Sequence, residues 1–412
     1  MANPKLRFKS AINDNIGWKQ VRLNELGVFI SGQTYNRSCV TNNESDVLII
    51  RSSNLQDLEY VDVCNDLQFV SIDIPSEKYL KKNDVVICTA NGSTNLVGKA
   101  SIYDGSYHGL ISWGAFCSVF RSNNVLAKFF FRTPKYRTLI HAHKQGGNGS
   151  LGNLNVSAIS SEEIFFPEST NEQQKIAEFL TALDEKIRIC EAKIDSTERL
   201  LAGLMDALFK QKIRLKNSEG SYHPDWRKST IGKEGSFHYG KSAPKWSLSE
   251  EATTPCVRYG DLYTKFRYKI DSVNTFTNID KKDLVFSKGG EVLVPRVGED
   301  PNDFCKCAYL PFEGIAIGEM VSIYESQHDG MFLSFYFNSQ MRKEFAKYVE
   351  GGNVSNLYYT YLEDIEITIP SLEEQKAISE FLTDVVNKLD FLKQSKQKYI
   401  TLKKAFMQRM FV

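Results

Sequence analysis

A chain of 412 residues has room for two or three domains, each large enough to bury its own core. Its composition, 42% hydrophobic and 25% charged, is that of an ordinary soluble protein. A net charge of +1 excludes a strong overall positive field, so any basic binding surface must be local.

The eight cysteines form no CxxC pair, and Cys305 and Cys307 are the only two that lie close together in sequence. This pattern predicts small core residues in a reducing compartment and no metal site. The charged N-terminus lacks the apolar stretch of a signal peptide, and the run Lys128–Arg132 is far too short to cross a bilayer. We therefore expect a cytoplasmic protein.

Residues 1–168 are predicted to form a first mixed domain. Short apolar runs at Val47–Arg51, Asp84–Cys88 and Ala115–Phe120 have the length of strands, and Asn, Gly and Ser turns separate them.

Residues 169–212 are predicted to form a long helix. Pro167 precedes it, and Ser169 with Glu172 has the spacing of a capping box. Apolar residues then follow in alternating steps of four and three, which is typical of a coiled-coil seam. The seam residues are Ile176, Leu180, Leu183, Ile187, Cys190, Ile194, Leu201, Leu204 and Leu208, with Thr197 at one further position.

Residues 213–370 are predicted to form a second mixed domain, with strands at Glu291–Val294 and Val321–Tyr324. Residues 371–412 contain no glycine or proline and predict a second long helix. Its seam includes Ile378, Leu382, Val385 and Leu389. Lys396 and Lys403 interrupt the seam, so we expect its distal half to face a partner or solvent rather than the first helix.

The two halves of the chain are repeats of each other. Ser169–Phe209 aligns with Ser371–Phe411 without a gap at an offset of 202, and twelve of the 41 positions are identical. Lys5–Lys9 likewise returns as Lys212–Lys216. We expect an α+β fold in which two pseudo-repeated globular domains are joined by two long antiparallel coiled-coil helices. The alternative is that each helix only covers the core of its own domain.

One segment has the literal pattern of a phosphate-binding loop, Gly235–Ser242. A polar stretch precedes it and Pro244 follows it, whereas such a loop needs a buried strand before it and a helix after it. The aligned segment Gly27–Thr34 keeps both glycines but has no lysine. We therefore expect the glycines to belong to a turn shared by both copies, with Lys241 specific to one of them.

A basic and aromatic segment extends from Arg121 to Lys144, and no acidic residue occurs between Gly105 and Ser161. Its cations could neutralise DNA phosphates while its aromatic residues reach bases. It could equally be an amphipathic helix with a solvated basic face. The first interpretation makes Arg121 and Lys128 candidate DNA contacts.

Polar loops supply the other candidate contacts, because Asn and Arg side chains can read adenine and guanine in the major groove. Two loops are rich in glycine: Gly146–Ser150 and Gly351–Asn353. The single candidates are Asn91, Ser93, Thr94 and Lys99 in the first copy, and Lys241, Arg258, Tyr259, Arg296 and Lys306 in the second. No residues with the pattern of a catalytic site accompany them.

The doubled helix motif resembles that of the specificity subunit of type I restriction–modification systems. It stands at Pro167–Leu180 and again at Pro370–Leu382, and the domain openings at Trp18 and Trp226 are similar to those of that family. The resemblance covers essentially the whole chain.

The resemblance implies a non-catalytic DNA-binding subunit whose two globular domains are target recognition domains, each reading half of a bipartite site. Its expected partners are double-stranded DNA, two adenine methyltransferase subunits and restriction or motor subunits. It implies no cofactor in this chain; S-adenosylmethionine, ATP and Mg²⁺ belong to the partners. The alternative from the residues alone is a coiled-coil scaffold with two protein-binding heads and no affinity for DNA.

Overall fold

The structure, a computed structural model, describes residues 4–8, 17–55, 60–145, 152–352 and 354–411. The chain divides into two compact units. Unit 1 contains Met1–Cys190 with Ser395–Val412, and unit 2 contains Glu191–Gln394. Each unit therefore combines one mixed domain with part of each long helix. The candidate loop Gly146–Ser150 and the candidate Asn353 lie outside the described residues.

The mixed domain of unit 1 is built from short strands and short helices. Strands lie at all three places where the sequence predicts them, within one or two residues at each end. Its strands are β1 (Trp18–Arg22), β2 (Val28–Ser31), β3 (Val40–Thr41), β4 (Val47–Ile50), β5 (Phe69–Val70), β6 (Val85–Cys88), β7 (Ala90–Asn91), β8 (Ala100–Ile102), β9 (Ile111–Trp113), β10 (Cys117–Arg121), β11 (Lys144–Gln145), β12 (Gly152–Leu154) and β13 (Glu163–Pro167). Its helices are α1 (Leu23–Leu26), α2 (Ala127–Phe130), α3 (Pro134–His143) and α4 (Val156–Ser160).

The central sheet of unit 1 has the antiparallel order β2-β10-β6-β8. Every residue of β6 is buried, as expected for a continuous apolar run. A second sheet, β3-β5-β4-β9, contains the parallel pair β4–β9. The order β11-β12-β7 forms a third, smaller sheet, and β1 pairs with β13. The aromatic rings of Phe120, Phe131 and Tyr136 pack together in the core between sheet and helices.

The first long helix, α5, spans Thr170–Phe209 and leads into the mixed domain of unit 2. The strands of that domain are β14 (Arg227–Thr230), β15 (Gly235–Tyr239), β16 (Thr254–Val257), β17 (Phe276–Thr277), β18 (Phe286–Lys288), β19 (Glu291–Pro295), β20 (Val297–Gly298), β21 (Ala308–Leu310), β22 (Glu313–Ile317), β23 (Val321–Ser326), β24 (Glu350–Gly351), β25 (Ser355–Asn356) and β26 (Glu366–Ile369). Its helices are α6 (Ile231–Glu234), α7 (Tyr259–Thr264), α8 (Gly330–Gln340) and α9 (Arg342–Lys347), and the second long helix is α10 (Leu372–Met410).

The sheets of unit 2 repeat those of unit 1. The order β15-β23-β19-β21 corresponds to β2-β10-β6-β8, and the parallel pair β16–β22 corresponds to β4–β9. The small sheet β20-β25-β24 and the pair β14–β26 also have counterparts. The expectation of an α+β fold with two pseudo-repeated domains is therefore confirmed.

In unit 1 the beginning of α5 packs against the end of α10. Phe179 and Phe406 meet edge to face with ring centroids 4.7 Å apart, and Asp184 pairs with Lys403. Because residue numbers rise along one helix as they fall along the other, the helices are antiparallel. The seam residues Ile176, Leu180, Leu183 and Ile187 are all buried.

In unit 2 the end of α5 packs against the beginning of α10 in the same sense. Leu201 is buried together with Ile378 and Leu382 in one hydrophobic cluster, and Leu204 and Val385 pack against that cluster while half-buried. Leu389 is fully buried. The helices therefore pack against each other, and the alternative that each helix only covers the core of its own domain is wrong. They also contribute to the domain cores, because the same clusters contain core residues of the mixed domains, such as Phe237 in unit 2.

The expected role of Lys403 was wrong. Its side chain is 14% exposed and pairs with the buried carboxylate of Asp184 on α5, so it faces the first helix rather than solvent. The charge is accommodated because the opposite helix supplies a countercharge, which the spacing of apolar residues alone does not reveal.

The expected capping boxes are only half correct. The Oγ atoms of Ser169 and Ser371 accept hydrogen bonds from the backbone N of Glu172 and Glu374, each at 3.3 Å. The two glutamate side chains, however, are buried and are bound by arginines. Arg7 donates to Glu172 at 2.7 and 2.8 Å, and Arg214 donates to Glu374 at 2.9 and 3.2 Å.

These ion pairs explain why the short segment Lys5–Lys9 is repeated as Lys212–Lys216. Each segment lies next to the end of one long helix. Its arginine forms an ion pair with a glutamate at the start of the other long helix. The backbone N of Leu6 donates to the Arg409 carbonyl in α10, and that of Lys212 donates to the Ala207 carbonyl in α5. The N-terminal segment thus lies at the end of α10 in unit 1 without being covalently joined to it. In unit 2 the equivalent segment is the part of the chain that directly follows α5.

The glycines of Gly235–Ser242 are shared by both copies, as expected, but they lie where strands pack closely rather than in the expected turn. A Cβ atom on Gly240 would lie 2.2 Å from the carbonyl oxygen of Gly318, and one on Gly32 would lie 2.0 Å from that of Gly114. Both copies therefore need glycine at this place, where two backbones approach closely. The segment forms strand β15 rather than a loop that opens a helix.

Candidate nucleic-acid interface

In unit 2 the fold brings Lys241 and Arg258 together at the end of the parallel pair β16–β22. The backbone N of Lys241 donates to the Ile317 carbonyl at 2.9 Å, and that of Gly318 donates to the Val257 carbonyl at 2.9 Å. Arg258 follows β16 directly and Tyr259 opens α7, so both lie at this same edge.

The turn between Lys241 and the rest of this edge has an unusual backbone. Ser242 and Ala243 have φ values of 61° and 53°, in the left-handed region that costs a non-glycine residue free energy. Arg258 Nε donates to the Ala243 carbonyl at 2.9 Å and holds the turn in place. Such strain is found at functional sites more than elsewhere, and here it fixes the position of Lys241.

Arg296 lies between two aromatic rings. Its guanidinium carbon is 4.4 Å from the ring centroid of Tyr239 and 5.2 Å from that of Tyr358. The backbone N of Arg296 donates to the Met320 carbonyl at 3.1 Å, close to the strand turn after Gly318. Arg296 Nε is buried without a hydrogen-bond partner. The rings thus hold a planar cation with unsatisfied donor capacity beside the edge that carries Lys241 and Arg258.

In unit 1 the candidate Asn91 ends strand β7, and the candidates Ser93 and Thr94 follow it in the segment before β8. Asn91 Nδ2 donates to Ser52 Oγ at 2.9 Å, and Asn91 Oδ1 accepts from the backbone N of Ser93 at 2.8 Å. Ser93 is exposed, and Thr94 is half-buried. Ser52 lines a cleft of about 1000 Å³, so the hydrogen bond to Ser52 places Asn91 beside this cleft.

That cleft is lined mostly by polar and aromatic side chains. They include Gln33, Thr34, Tyr35, Arg37, Arg51, Ser52, Gln68 and Phe116. Phe116 is 61% exposed, which is unusual for a phenylalanine in a folded domain. Gln68 Nε2 donates to Tyr35 Oη at 2.6 Å, and Arg51 pairs with Asp66 at 2.7 Å.

The cleft of unit 1 and the edge of unit 2 are the same place in the repeated framework. Ile50 pairs with Trp113 as Val257 pairs with Ile317, so Arg51 corresponds to Arg258 and Ser52 to Tyr259. The backbone N of Gln33 donates to the Trp113 carbonyl as that of Lys241 donates to the Ile317 carbonyl, so these two residues also correspond. One scaffold therefore presents different polar side chains in the two units.

The lining residues that were not predicted from the sequence include Arg51, Tyr35, Gln68 and Phe116. A signal for Arg51 was available, because an apolar strand followed by arginine occurs in both copies, at Val47–Arg51 and Thr254–Arg258. Tyr35, Gln68 and Phe116 come from separate turns that only the folded sheet brings together.

Three candidates have structural roles in the fold. Arg121 donates from Nε and Nη2 to Asp84 and from Nη1 and Nη2 to the carbonyls of Glu77 and Tyr79. Lys128 donates to Asn83 Oδ1 at 2.7 Å, and burial lowers its pKa. Lys306 pairs with Asp303 at 2.7 Å. We leave Arg121 and Lys128 out of the interface, while Lys99 lines a separate groove on α3.

Six of the eight cysteines are buried, as expected for core residues, whereas Cys64 is exposed and Cys39 is half-buried. Burial raises the pKa of the Cys88 and Cys256 thiols to about 11. Within the described residues, no three His, Cys, Asp or Glu side chains are grouped as metal ligands. In the same part of the chain, no helix combines the length and the hydrophobicity that a membrane span requires.

A family model matches the chain in both copies of the repeat. The model for the type I restriction modification DNA specificity domain matches the chain twice, at residues 15–199 and 224–400. The chain belongs to this family. The two matched regions together cover most of the sequence, one for each copy of the repeat.

Two relatives from this family are similar to the chain over different fractions of their own length. The type I restriction enzyme EcoKI specificity subunit of Escherichia coli K12 is 26% identical over 220 residues, 51% of this chain and 44% of that relative. The chain thus spans less than half of that relative's length. A protein of Methanocaldococcus jannaschii assigned as the type I restriction enzyme MjaX specificity subunit is 25% identical over 336 residues, 76% of this chain and 73% of the relative.

Two solved structures share the fold. The S subunit of a type I restriction-modification system from M. genitalium superposes with a TM-score of 0.64 at 15% identity, covering 100% of this chain and 99% of that one. A chain from a study of complex assembly and conformational transition of the type I R-M system has a TM-score of 0.52 at 16% identity, covering 96% and 97%.

Proposed function

We propose that this protein is the non-catalytic specificity subunit of a type I restriction–modification complex, in which each unit reads one half of a bipartite DNA site. The observation that carries the proposal is the repeated edge with unlike side chains. Where unit 1 has Gln33, unit 2 has Lys241, and where unit 1 has Ser52, unit 2 has Tyr259. The equivalence of these positions follows from the matching strand pairing in the two units.

The chemistry of the two edges suits base recognition. Asn and Gln side chains pair with adenine in the major groove, and Arg and Lys pair with guanine. Unit 1 offers Gln33, Gln68 and Asn91 together with arginines, whereas unit 2 offers Lys241, Arg258 and Arg296. Because the side chains differ at equivalent places, we expect the two half-sites to differ in sequence.

The surface of the long helices supports the proposed partners. Large apolar side chains are exposed at equivalent positions of α5 and α10: Ile189 and Phe391 are 38% and 67% exposed, and Leu200 and Leu402 are 54% and 39% exposed. Repeated exposed apolar positions favour docking of two copies of one partner. We propose that these partners are two adenine methyltransferase subunits, which bring S-adenosylmethionine, with restriction or motor subunits supplying ATP and Mg²⁺ chemistry.

An exchange of one domain tests the proposal. Residues 221–369 are replaced by the same region of another family member in the full chain, which is expressed with its methyltransferase subunit. We expect N6-methyladenine mapping to show a new sequence in one half of the site and the original sequence in the other. A change in both halves would contradict separate reading. Absence of methylation and of DNA binding by the native complex would favour a protein-binding scaffold.

A further inference from the structure

A groove of about 200 Å³ lies in unit 1 between the loop before β8 and the helix α3. Among the residues that the structure describes, its lining contains three basic side chains and one histidine, Lys99, Arg137, Lys144 and His141, and no carboxylate. The absence of acids has a simple source, because α3 and β11 belong to the acid-free segment from Gly105 to Ser161 and the loop Thr89–Lys99 also has none. The groove is smaller than the clefts of about 300–1,000 Å³ that hold small molecules.

The fold fixes the two walls of this groove against each other. Tyr136 Oη, buried in α3, donates to the Gly98 carbonyl at 3.0 Å. Gly98 has a φ of +86°, and a Cβ atom there would lie 2.4 Å from Ile140 Cγ2. Glycine thus allows the loop to approach the helix closely, which sets Lys99 opposite Arg137 and His141. The latter two are four residues apart and share one face of α3.

The equivalent place in unit 2 has a different charge. Ser101 pairs with Val86 as Ala308 pairs with Leu293, so Lys306 corresponds to Lys99. Lys306 donates to Asp303 at 2.7 Å, and the short helical turn Pro301–Asp303 that carries this acid also follows Asp300. A carboxylate therefore pairs with Lys306 in unit 2, whereas the described residues that line the groove of unit 1 include none.

We propose that the groove of Lys99, Arg137, His141 and Lys144 binds a phosphodiester of the DNA backbone beside the half-site that unit 1 reads. Cationic and N–H donors converge on a small site, as a phosphate requires. The inference rests on the proposed function and extends it. The two units share the reading of bases, but unit 1 holds the backbone by an additional contact that is independent of sequence.

The salt dependence of DNA binding tests this inference. The double variant Lys99→Gln with Arg137→Gln is assembled in the full chain with its methyltransferase, and the Kd for a duplex carrying the methylated site is measured across salt concentrations. The double variant removes the single phosphate contact of the groove. Each lost phosphate contact lowers the slope of log Kd against log salt by about 0.9, so we expect the slope to fall by about 0.9. Affinity for an unrelated duplex should fall by the same factor, and the methylated sequence should stay unchanged.

Gln145 pairs with Asn153 as Glu350 pairs with Asn356, and Arg137 and Arg342 lie eight residues before Gln145 and Glu350, so Arg342 corresponds to Arg137. The matched double variant in unit 2, Lys306→Gln with Arg342→Gln, is the control and should change the slope by less than half as much. An unchanged slope in the groove variant, or an equal loss in the control, would overturn the inference and leave the proposed function standing. A native complex that shows no salt-dependent DNA binding would overturn the proposed function itself. Thermal unfolding and circular dichroism of each variant establish that it is folded. Should the double variant unfold, Lys144→Gln alone should lower the slope in the same direction, by no more than the value of about 0.9 that one phosphate contributes.

Discussion

Asp184 on α5 and Lys403 on α10 form a buried ion pair in unit 1 that has no counterpart in unit 2. Arg132 Nη1 and Tyr60 Oη donate to the same carboxylate at 2.7 and 3.1 Å. At the offset of 202 residues, Asp184 corresponds to Val386 and Lys403 to Leu201, and both of these belong to the hydrophobic cluster of unit 2.

This asymmetry specifies which helices pair. When α5 packs against α10, the two charges meet in one unit and the two apolar residues meet in the other. If α5 packed against a second α5 in the same antiparallel register, Asp184 would face Leu201, and a buried carboxylate would lose one of its cations. A buried polar pair of this kind selects a partner rather than adding much stability.

Removing the carboxylate should be costly. Burial opposes ionisation of Asp184, but the charges of Arg132 and Lys403 outweigh it and hold the pKa of the carboxyl below its usual value. Asp184→Ala leaves two buried cations without a countercharge, so we expect a loss of about 3–5 kcal/mol in the free energy of unfolding, measured with urea.

The exposed pair of Glu198 and Lys393 in unit 2 is the control for that variant. Their side chains are 41% and 46% exposed, and Lys393→Ala should cost no more than about 1 kcal/mol. Equal losses for Asp184→Ala and Lys393→Ala would show that burial of the first pair has no energetic consequence.

The seam leucines offer a second stability test. Leu183 is 7% exposed in unit 1 and Leu389 is fully buried in unit 2. Truncation of either to alanine removes buried apolar contact and leaves a cavity, so we expect each to destabilise its unit by about 2–5 kcal/mol. Leu200→Ala, at an exposed position of the same helix, should change the unfolding midpoint little.

The two arginine–glutamate pairs should behave alike. The side chains of Arg7 and Arg214 are 15% and 16% exposed, and those of Glu172 and Glu374 are 0% and 1% exposed. Loss of either arginine leaves a buried carboxylate, and we expect Arg7→Ala and Arg214→Ala each to cost about 3–5 kcal/mol. Arg7 is only a few residues from the N-terminus, so a large effect there would distinguish a structural segment from a dispensable tail.

Acid should weaken unit 2 through Glu234. Hydrogen bonds from Arg227 lower the pKa of its carboxyl to about 2, and His328 Nε2 lies 2.6 Å from the same group. A depressed pKa stabilises the folded state above the ordinary value of 4.5, and that stabilisation is lost as the pH falls from 4.5 towards 2. Because the Arg227 side chain is 56% exposed and solvent screens this pair, we expect the loss to be about 1 kcal/mol. Urea unfolding at pH 5 and pH 3 should therefore show a smaller difference for Glu234→Gln than for the native chain.

The long helices and the doubled architecture could be predicted because they depend on local signals. A seam such as Ile176, Leu180 and Leu183 recurs with the helical period, and a repeat is visible by alignment. The roles of Glu172 and Lys403 could not be predicted in this way. Each depends on a charge from a distant part of the chain, Arg7 or Asp184, and sequence spacing contains no information about which distant residue will be the neighbour. The same holds for the cleft, whose lining residues come from separate turns.

The long helices should set the distance between the two halves of the DNA site. α5 leaves unit 1 after Cys190, and α10 leaves unit 2 after Gln394. Four residues inserted at each of these two places would lengthen both helices by about 6 Å and rotate their ends by about 40°, because a residue adds 1.5 Å and a turn takes 3.6 residues. A matched insertion in both helices also keeps their seams in register. About 6 Å is nearly two base-pair steps, so we expect a longer spacer between unchanged half-sites in the N6-methyladenine map of cells that carry the variant. Four residues inserted instead in the loop at Glu219 should leave the spacer unchanged, and an unchanged spacer after the helix insertions in an active complex would show that the helices do not set this distance.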